Sequence, residues 1–184
     1  MKGLKKKGIW GVVIAALLVI AFVSVHYIGH DGTKTAEANS AVVNKGPMAP
    51  QFKLKDMNGK TVSLSDFKGQ KVYVKFWASW CPICLAGLDD LNKLSGEKHD
   101  YKVLTIVSPG YNGEQSEKDF VDWFSKRGYN NIEVLLDDGG TWAKKFGVKG
   151  YPSSYYIGTD GVLAKAIPGH NTNKVVNSTI QTIN

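Results

Sequence analysis

The chain of 184 residues holds two cysteines, and both fall in one run, Cys81-Pro82-Ile83-Cys84. With no third thiol to pair with, they either bond to each other or hold something else. The run follows a β-branched and aromatic stretch, residues 71–77 (KVYVKFW), and precedes a helical pattern with Leu85, Leu88, Leu91 and Leu94 on one face. A thiol at a helix start faces unpaired amide N–H groups and the positive end of the helix dipole, which favours the thiolate. The thiolate is the species that attacks disulfides. Cys81 therefore reads as the nucleophile and Cys84, one turn on, as the resolving thiol. Pro82 suits the first helical turn, where its missing N–H does no harm. Trp80 and Pro82 would shape the exposed face around the attacking sulfur.

Metal binding by the same thiols makes other demands. A closed zinc site takes about four ligands, usually including a second C-x-x-C or a histidine pair. Only His26, His30, His99 and His170 are present, and His26 lies inside a long apolar run, so the ligand count argues against a zinc ribbon. A copper carrier needs less, since two thiols and one distant histidine can hold a soft metal. His170 is the candidate third ligand, and its alternative reading is a surface-loop histidine. No haem, flavin or nucleotide motif is visible, and no cofactor is expected.

The elements that must position the pair follow from periodicity. Phe52, Leu54, Val62 and Leu64 alternate with polar residues around Asn58-Gly59, which predicts an N-terminal β-hairpin. Residues 71–77 form a central strand, and a helix starts at Pro82. Residues 102–107 make the next strand, 114–127 an amphipathic helix with Phe120, Val121, Trp123 and Phe124 inward, and 133–136 another strand. A short helix over 141–146 follows. Strands 154–157 and 162–167 flank Gly158-Thr159-Asp160-Gly161, a second hairpin, and a helix over 174–183 closes the chain. The order β-β-β-α-β-α-β-α-β-β-α predicts one α/β domain over residues 47–184, with a central mixed sheet and helices on both faces. Tyr151-Pro152, ahead of strand 154–157, reads either as a plain turn proline or as a cis peptide that brings backbone beside the active sulfur.

Ahead of the domain, Lys2, Lys5, Lys6 and Lys7 precede an uninterrupted apolar stretch over residues 9–28. As a helix it would span roughly 30 Å, the thickness of a bilayer core. The expectation is a retained transmembrane anchor over residues 1–28, although Ala36-Glu37-Ala38 offers a signal-peptidase-like site for a cleaved alternative. The lysines orient the N-terminus inside, which puts the domain on the extracytoplasmic side of the cell membrane. Residues 29–46, small and polar, read as a flexible linker. Subtracting the four anchor lysines takes the formal charge from +7 to +3, without a basic cluster, so no nucleic-acid partner is expected. Nothing indicates an oligomer, and a monomer is expected.

The residues WASWCPIC, with a strand before them and Tyr151-Pro152 ahead of a hairpin, resemble the thioredoxin superfamily. The stretch APQFKLKDMNGKTVSLSDFKGQKVYVKFWASWC looks like its exported TlpA/ResA and redoxin branch. The resemblance covers about residues 47–183. It implies a thioredoxin-like fold, a thiol–disulfide oxidoreductase activity, and that Pro152 is the cis-proline facing the cysteines and helping to hold substrate backbone beside Tyr151. Two departures stand out. Thioredoxins usually carry a buried acid where this chain has Lys75, which either places a cation near Cys81 or snorkels outward. The haem-pathway members have C-x-x-C-x-x-E, and the last position here is Gly87, with Asp89 and Asp90 beyond it on what reads as a solvated helix face.

TIVSPGYNGE and LLDDGG resemble the extracellular thioredoxin-like proteins of Gram-positive bacteria and the thioredoxin-like domains fused to methionine sulfoxide reductases. That similarity implies a reductase of surface proteins such as methionine sulfoxide reductase, fed by a membrane thiol carrier of the CcdA type. A disulfide-forming oxidase is the alternative direction. Peroxiredoxins share the opening pattern but carry P-x-x-x-T-x-x-C, and neither that proline nor that threonine precedes Cys81 here, so negligible peroxidase turnover is expected.

Overall fold

The computed structural model describes residues 44–184. The expected anchor over residues 1–28 and most of the linker lie outside the described residues. Among the described residues no helix is long and apolar enough to cross a membrane.

Alternation builds the first hairpin. Strand β1 (Lys53–Asp56) pairs antiparallel with β2 (Thr61–Ser63), placing Leu54 opposite Val62 on the buried side. Asp56 closes the turn by accepting the Asn58 and Lys60 N–H groups at 2.9 and 2.8 Å, with Gly59 at φ +80°. A single 3-10 turn (Leu64–Phe67) leads to the central strand β3 (Lys71–Phe76). Then come α1 (Pro82–Ala86), α2 (Leu88–Gly96), β4 (Tyr101–Val107), α3 (Glu117–Ser125) and β5 (Val134–Leu136). A second 3-10 turn precedes α4 (Thr141–Lys145), followed by β6 (Ser153–Ile157), β7 (Leu163–Pro168) and α5 (Asn173–Ile180).

The seven strands form one mixed sheet in the order β2-β1-β5-β4-β3-β6-β7. β3 runs parallel to β4 and antiparallel to β6, so it is flanked on both sides. Its side chains alternate between two buried layers. Val72, Val74 and Phe76 join Phe52, Leu64, Leu104, Ile106, Ala143 and Phe146 on the face covered by α4 and the segment before β1. Tyr73 and, just past the strand, Trp77 join the opposite layer, with Leu88, Leu91 and Leu94 of α2, Phe120 and Phe124 of α3, and Val176 and Ile180 of α5. The mixed sheet with helices on both faces is the one expected.

Local departures from the sequence reading have identifiable causes. The helix expected to run on from Pro82 breaks at Gly87 (φ −97°, ψ 4°), separating α1 from α2 and leaving Leu85 half-buried. The helix expected from residue 114 starts only after Ser116, whose hydroxyl caps it by accepting the Asp119 N–H at 3.2 Å. Glu114 is thereby left outside the helix and buried. At the other end of the sheet Asn44 ties the chain into the domain ahead of Pro47. Its amide donates to the Asp160 carboxylate at 3.0 Å and to the carbonyl of Asn184 at 3.1 Å, while its oxygen accepts the Asn184 N–H at 3.0 Å.

Asp137 is buried just past the end of β5. Its carboxylate accepts the N–H groups of Trp142 and Ala143 at 2.9 and 2.8 Å, the orphan amides of the first turn of α4, and the Ser108 hydroxyl at 3.1 Å. Asp137→Ala is expected to cost about 2–3 kcal/mol, since it strips a charged acceptor from buried donors. A fall in the urea midpoint at unchanged slope checks it.

Candidate active site

β3 delivers the chain to the site. Beyond Phe76 the backbone turns through Trp77–Trp80, and Cys81, in extended conformation (φ −89°, ψ 109°), caps α1 with Pro82 at its first position. Cys81 and Cys84 are joined by a disulfide, their Cα atoms 5.2 Å apart. Both are buried, and the Cys84 N–H donates to Cys81 Sγ at 3.3 Å. The Tyr151–Pro152 peptide is cis, as the resemblance implies, and Cys81 Sγ lies 3.6 Å from the Tyr151 carbonyl oxygen. Pro152 itself is buried at the foot of β6. Trp80 is half exposed and stands edge-on to the Tyr151 ring at 5.9 Å, and Ile83, between the cysteines in the motif, is also exposed. Trp80, Ile83 and Tyr151 therefore make an apolar rim around the disulfide.

Beneath the rim lie groups whose roles the sequence reading missed or left open. Periodicity places Glu114 in a helix; in the structure its carboxylate reaches across to the active-site turn. One oxygen accepts the Ser79 N–H at 2.6 Å, the other accepts the Ser79 hydroxyl at 2.5 Å and the Gln115 N–H at 2.9 Å. Gln115 also donates to the Ser79 hydroxyl at 3.2 Å. Two residues of the loop before α3 thus hold the backbone two positions ahead of Cys81. Only an acid four residues after Ser108-Pro109-Gly110, in a stretch too glycine-rich for helix, could have hinted at it.

Lys75 does not snorkel outward. It is 3 % exposed and sits between Tyr73 and Trp77 along the face of β3 that carries the cysteine layer. Burial holds its amine down to about 8, against the opposing pull of the Asp90 carboxylate on α2. Asp89 and Asp90 are themselves exposed, as read.

His170 is not a free loop residue either. Its ring fills the space over Gly87: a Cβ on Gly87 would stand 2.5 Å from the ring Cε1 and 2.7 Å from Nδ1. The same point is 3.7 Å from the Cys84 carbonyl oxygen, so the ring lies over the helix one turn beyond the disulfide. Nδ1 is buried without a hydrogen-bond partner. Among the described residues no three His, Cys, Asp or Glu side chains converge as a metal site would require. Among the described residues His170, the candidate third ligand, does not group with Cys81 and Cys84 into such a site.

The His170 contact explains Gly87, because its backbone angles suit any residue and only space forbids a side chain. Gly87→Ala is expected to cost about 1–3 kcal/mol through overpacking. Most of that loss should vanish on the His170→Ala background, giving a coupling of at least about 0.5 kcal/mol in a double-mutant cycle of urea denaturation.

Comparison with known proteins agrees with this geometry. Residues 44–182 match the family model described as Redoxin. The thioredoxin-like protein YneN of Bacillus subtilis is 32 % identical over 164 residues, 88 % of this chain and 92 % of that one. The thiol-disulfide oxidoreductase ResA of Bacillus thuringiensis is 30 % identical over 156 residues, 85 % of this chain and 86 % of its own length. The crystal structure of the pneumococcal exposed lipoprotein thioredoxin Etrx1 from Streptococcus pneumoniae superposes with a TM-score of 0.70 at 45 % identity, covering 73 % of this chain and all of that one. With the match spanning all but the last two described residues and the disulfide placed at the start of α1, the chain belongs to the redoxin family, as a TlpA/ResA-like thiol–disulfide oxidoreductase of thioredoxin fold.

Proposed function

We propose that this protein exchanges disulfides with partner proteins on the extracytoplasmic face of the membrane, through the Cys81-Pro82-Ile83-Cys84 motif and in the reducing direction. The observation that carries the reading is the asymmetry of the pair. Cys81 caps α1 with its Sγ beside the Tyr151 carbonyl and the Trp80–Tyr151 pair, whereas Cys84 sits within α1 and directs its N–H at that sulfur. An apolar rim suits the surface of a protein substrate. In the reduced enzyme the Cys81 thiolate, supported by the Cys84 N–H, attacks one sulfur of a partner disulfide and expels the other as a thiolate. Cys84, deprotonated, then attacks Cys81 Sγ, releases the reduced partner, and leaves the Cys81–Cys84 disulfide in which the molecule is seen. Trp80, Pro82 and Tyr151-Pro152 shape the docking face, and Lys75 lies beneath it.

The lysines ahead of the apolar run at residues 9–28 support a single-pass anchor with the catalytic domain outside. The likeness to Gram-positive extracellular thioredoxin-like proteins supports methionine sulfoxide reductase as a substrate and a CcdA-type carrier as electron donor. The pneumococcal structural neighbour is itself described as an exposed lipoprotein.

The reduction potential of the pair tests the direction, followed through the fluorescence of Trp77 and Trp80 in thiol buffers. A value near ~−270 mV is expected for a reductase, and one near ~−120 mV would mark a disulfide-forming oxidase instead. Cys84→Ser is expected to accumulate mixed disulfides on Cys81, isolated from membranes as adducts that dithiothreitol releases. Adducts on Cys81→Ser in place of Cys84→Ser would reverse the roles of the two thiols.

A further inference from the structure

The resolving step needs a proton removed from a thiol that water reaches poorly. Cys84 is 1 % exposed, and an uncompensated thiolate is disfavoured in such surroundings. A base must therefore be internal. The side chains that could serve are few. Glu114 is committed to Ser79 on the Cys81 side. Position 87, one turn past Cys84, is a glycine covered by His170. Asp89 and Asp90 face solvent. Tyr73 is occupied with the Ser154 hydroxyl at 2.9 Å, and burial raises its phenol further out of reach.

Lys75 is different in kind. Buried lysines are rare unless paired, because a desolvated cation without a counter-charge is costly. Among the described residues Lys75 makes no ion pair. Strand alternation sends it into the layer that holds Cys84, between Tyr73 and Trp77, with Ser154 opposite on β6. An unpaired lysine buried on that face suits a group that spends part of its cycle as a neutral amine and part as the partner of an anion.

We propose that Lys75 is the internal base of the resolving step, taking the Cys84 proton as Cys84 attacks the Cys81 sulfur of the mixed disulfide. The proposal rests on the oxidoreductase reading above. The balance is simple. The Cys84 thiol gives its proton to the neutral amine, and the resulting thiolate forms a bond to Cys81 Sγ. The bond from Cys81 to the partner breaks, and the partner leaves as a thiolate with the electron pair. The ammonium left behind is the counter-charge of the transient Cys84 thiolate, and it loses its proton once the disulfide has formed. The lowered amine value, about 8, puts a useful fraction of the neutral form at the pH of the cell surface. Of the charged groups on the elements packed against it, the Asp90 carboxylate of α2 acts on Lys75, exposed though it is; the titratable side chains buried in the layer it enters are Tyr73 of β3, Tyr156 of β6 and Cys84 of α1.

The test separates the two thiol steps. Reduced full-length protein is mixed with an aromatic disulfide whose released thiolate is coloured. The first release reports attack by Cys81, and the second reports resolution by Cys84. Wild type is expected to show a second phase that rises with pH and levels above about 8. Lys75→Met should slow that phase by on the order of a hundredfold while changing the first phase far less, and the plateau near pH 8 should disappear. Lys75→Arg keeps the charge but cannot give a neutral base, and it should be slow as well. A second phase of wild-type rate in Lys75→Met, or full rescue by Arg, would overturn the proposal. A wild-type protein with no coloured release at all would instead sink the oxidoreductase reading itself.

Folding gives an independent check. A lysine at about 8 in the fold and 10.5 in the unfolded chain is neutral in one state and charged in the other between those values. The unfolded chain binds the extra proton, so wild type gains stability relative to Lys75→Met as pH rises through that window. Taking the difference cancels the opposite contribution of the raised tyrosines Tyr73 and Tyr101. A difference that is flat from pH 8 to 10.5 would equally overturn the proposal.

Discussion

The site depends on the parity of β3. Because successive side chains of a strand point to opposite faces, the strand that must bury Val72, Val74 and Phe76 under α4 is obliged to send Tyr73, Lys75 and Trp77 the other way. The turn through Trp77–Trp80 then starts α1 on that same side, with Cys81 and Cys84 in the layer already entered by Lys75. A slip of one residue in the pairing of β3 with β4 and β6 would exchange the faces. Flanking β3 on both sides makes such a slip expensive, since two ladders of hydrogen bonds and both cores would have to change together.

Around this turn, three loops that are remote in sequence converge, each fixing a different part of the cysteine pair. Glu114 and Gln115 hold Ser79 from the loop before α3. The Tyr151 carbonyl approaches Cys81 Sγ from the loop before β6. His170, from the loop before α5, closes the space over Gly87. The Asn173 side chain, donating to the Asp90 carbonyl at 2.8 Å, ties that last loop to α2. The pair is thus fixed above, beneath and behind by polar or aromatic groups, while the rim facing outward is left apolar.

The central elements were legible because they combine strong local signals. KVYVKFW reads as a strand on composition alone, Pro82 marks a helix start, and Asn58-Gly59 and Asp160-Gly161 mark turns. What was not legible depended on contacts between distant segments. The break at Gly87 is hidden by the leucine spacing of 85, 88, 91 and 94, which runs straight through it, and what bars a side chain there is a histidine ring more than eighty positions away. Glu114 looked like the first turn of a helix because nothing local reveals that Ser79 will claim it. For Lys75 the strand parity was readable, but whether a lysine at such a place is buried or snorkels depends on the helices that cover it.

The network of Asn44, Asp160 and Asn184 also fixes how the domain can be attached to anything else. Asn44 and Asn184 are hydrogen-bonded to each other beside the β6–β7 turn, beyond Ile157, which pairs with Val72 at the start of β3. The cysteines follow the opposite end of that strand. Asn44 and Asn184 therefore lie by the end of β3 opposite the one that leads to the cysteines, so a leash or a fused neighbour attached there need not shade the rim. This is the geometry of a cartridge that can be mounted from behind and still present the same working tip, whatever it is mounted on.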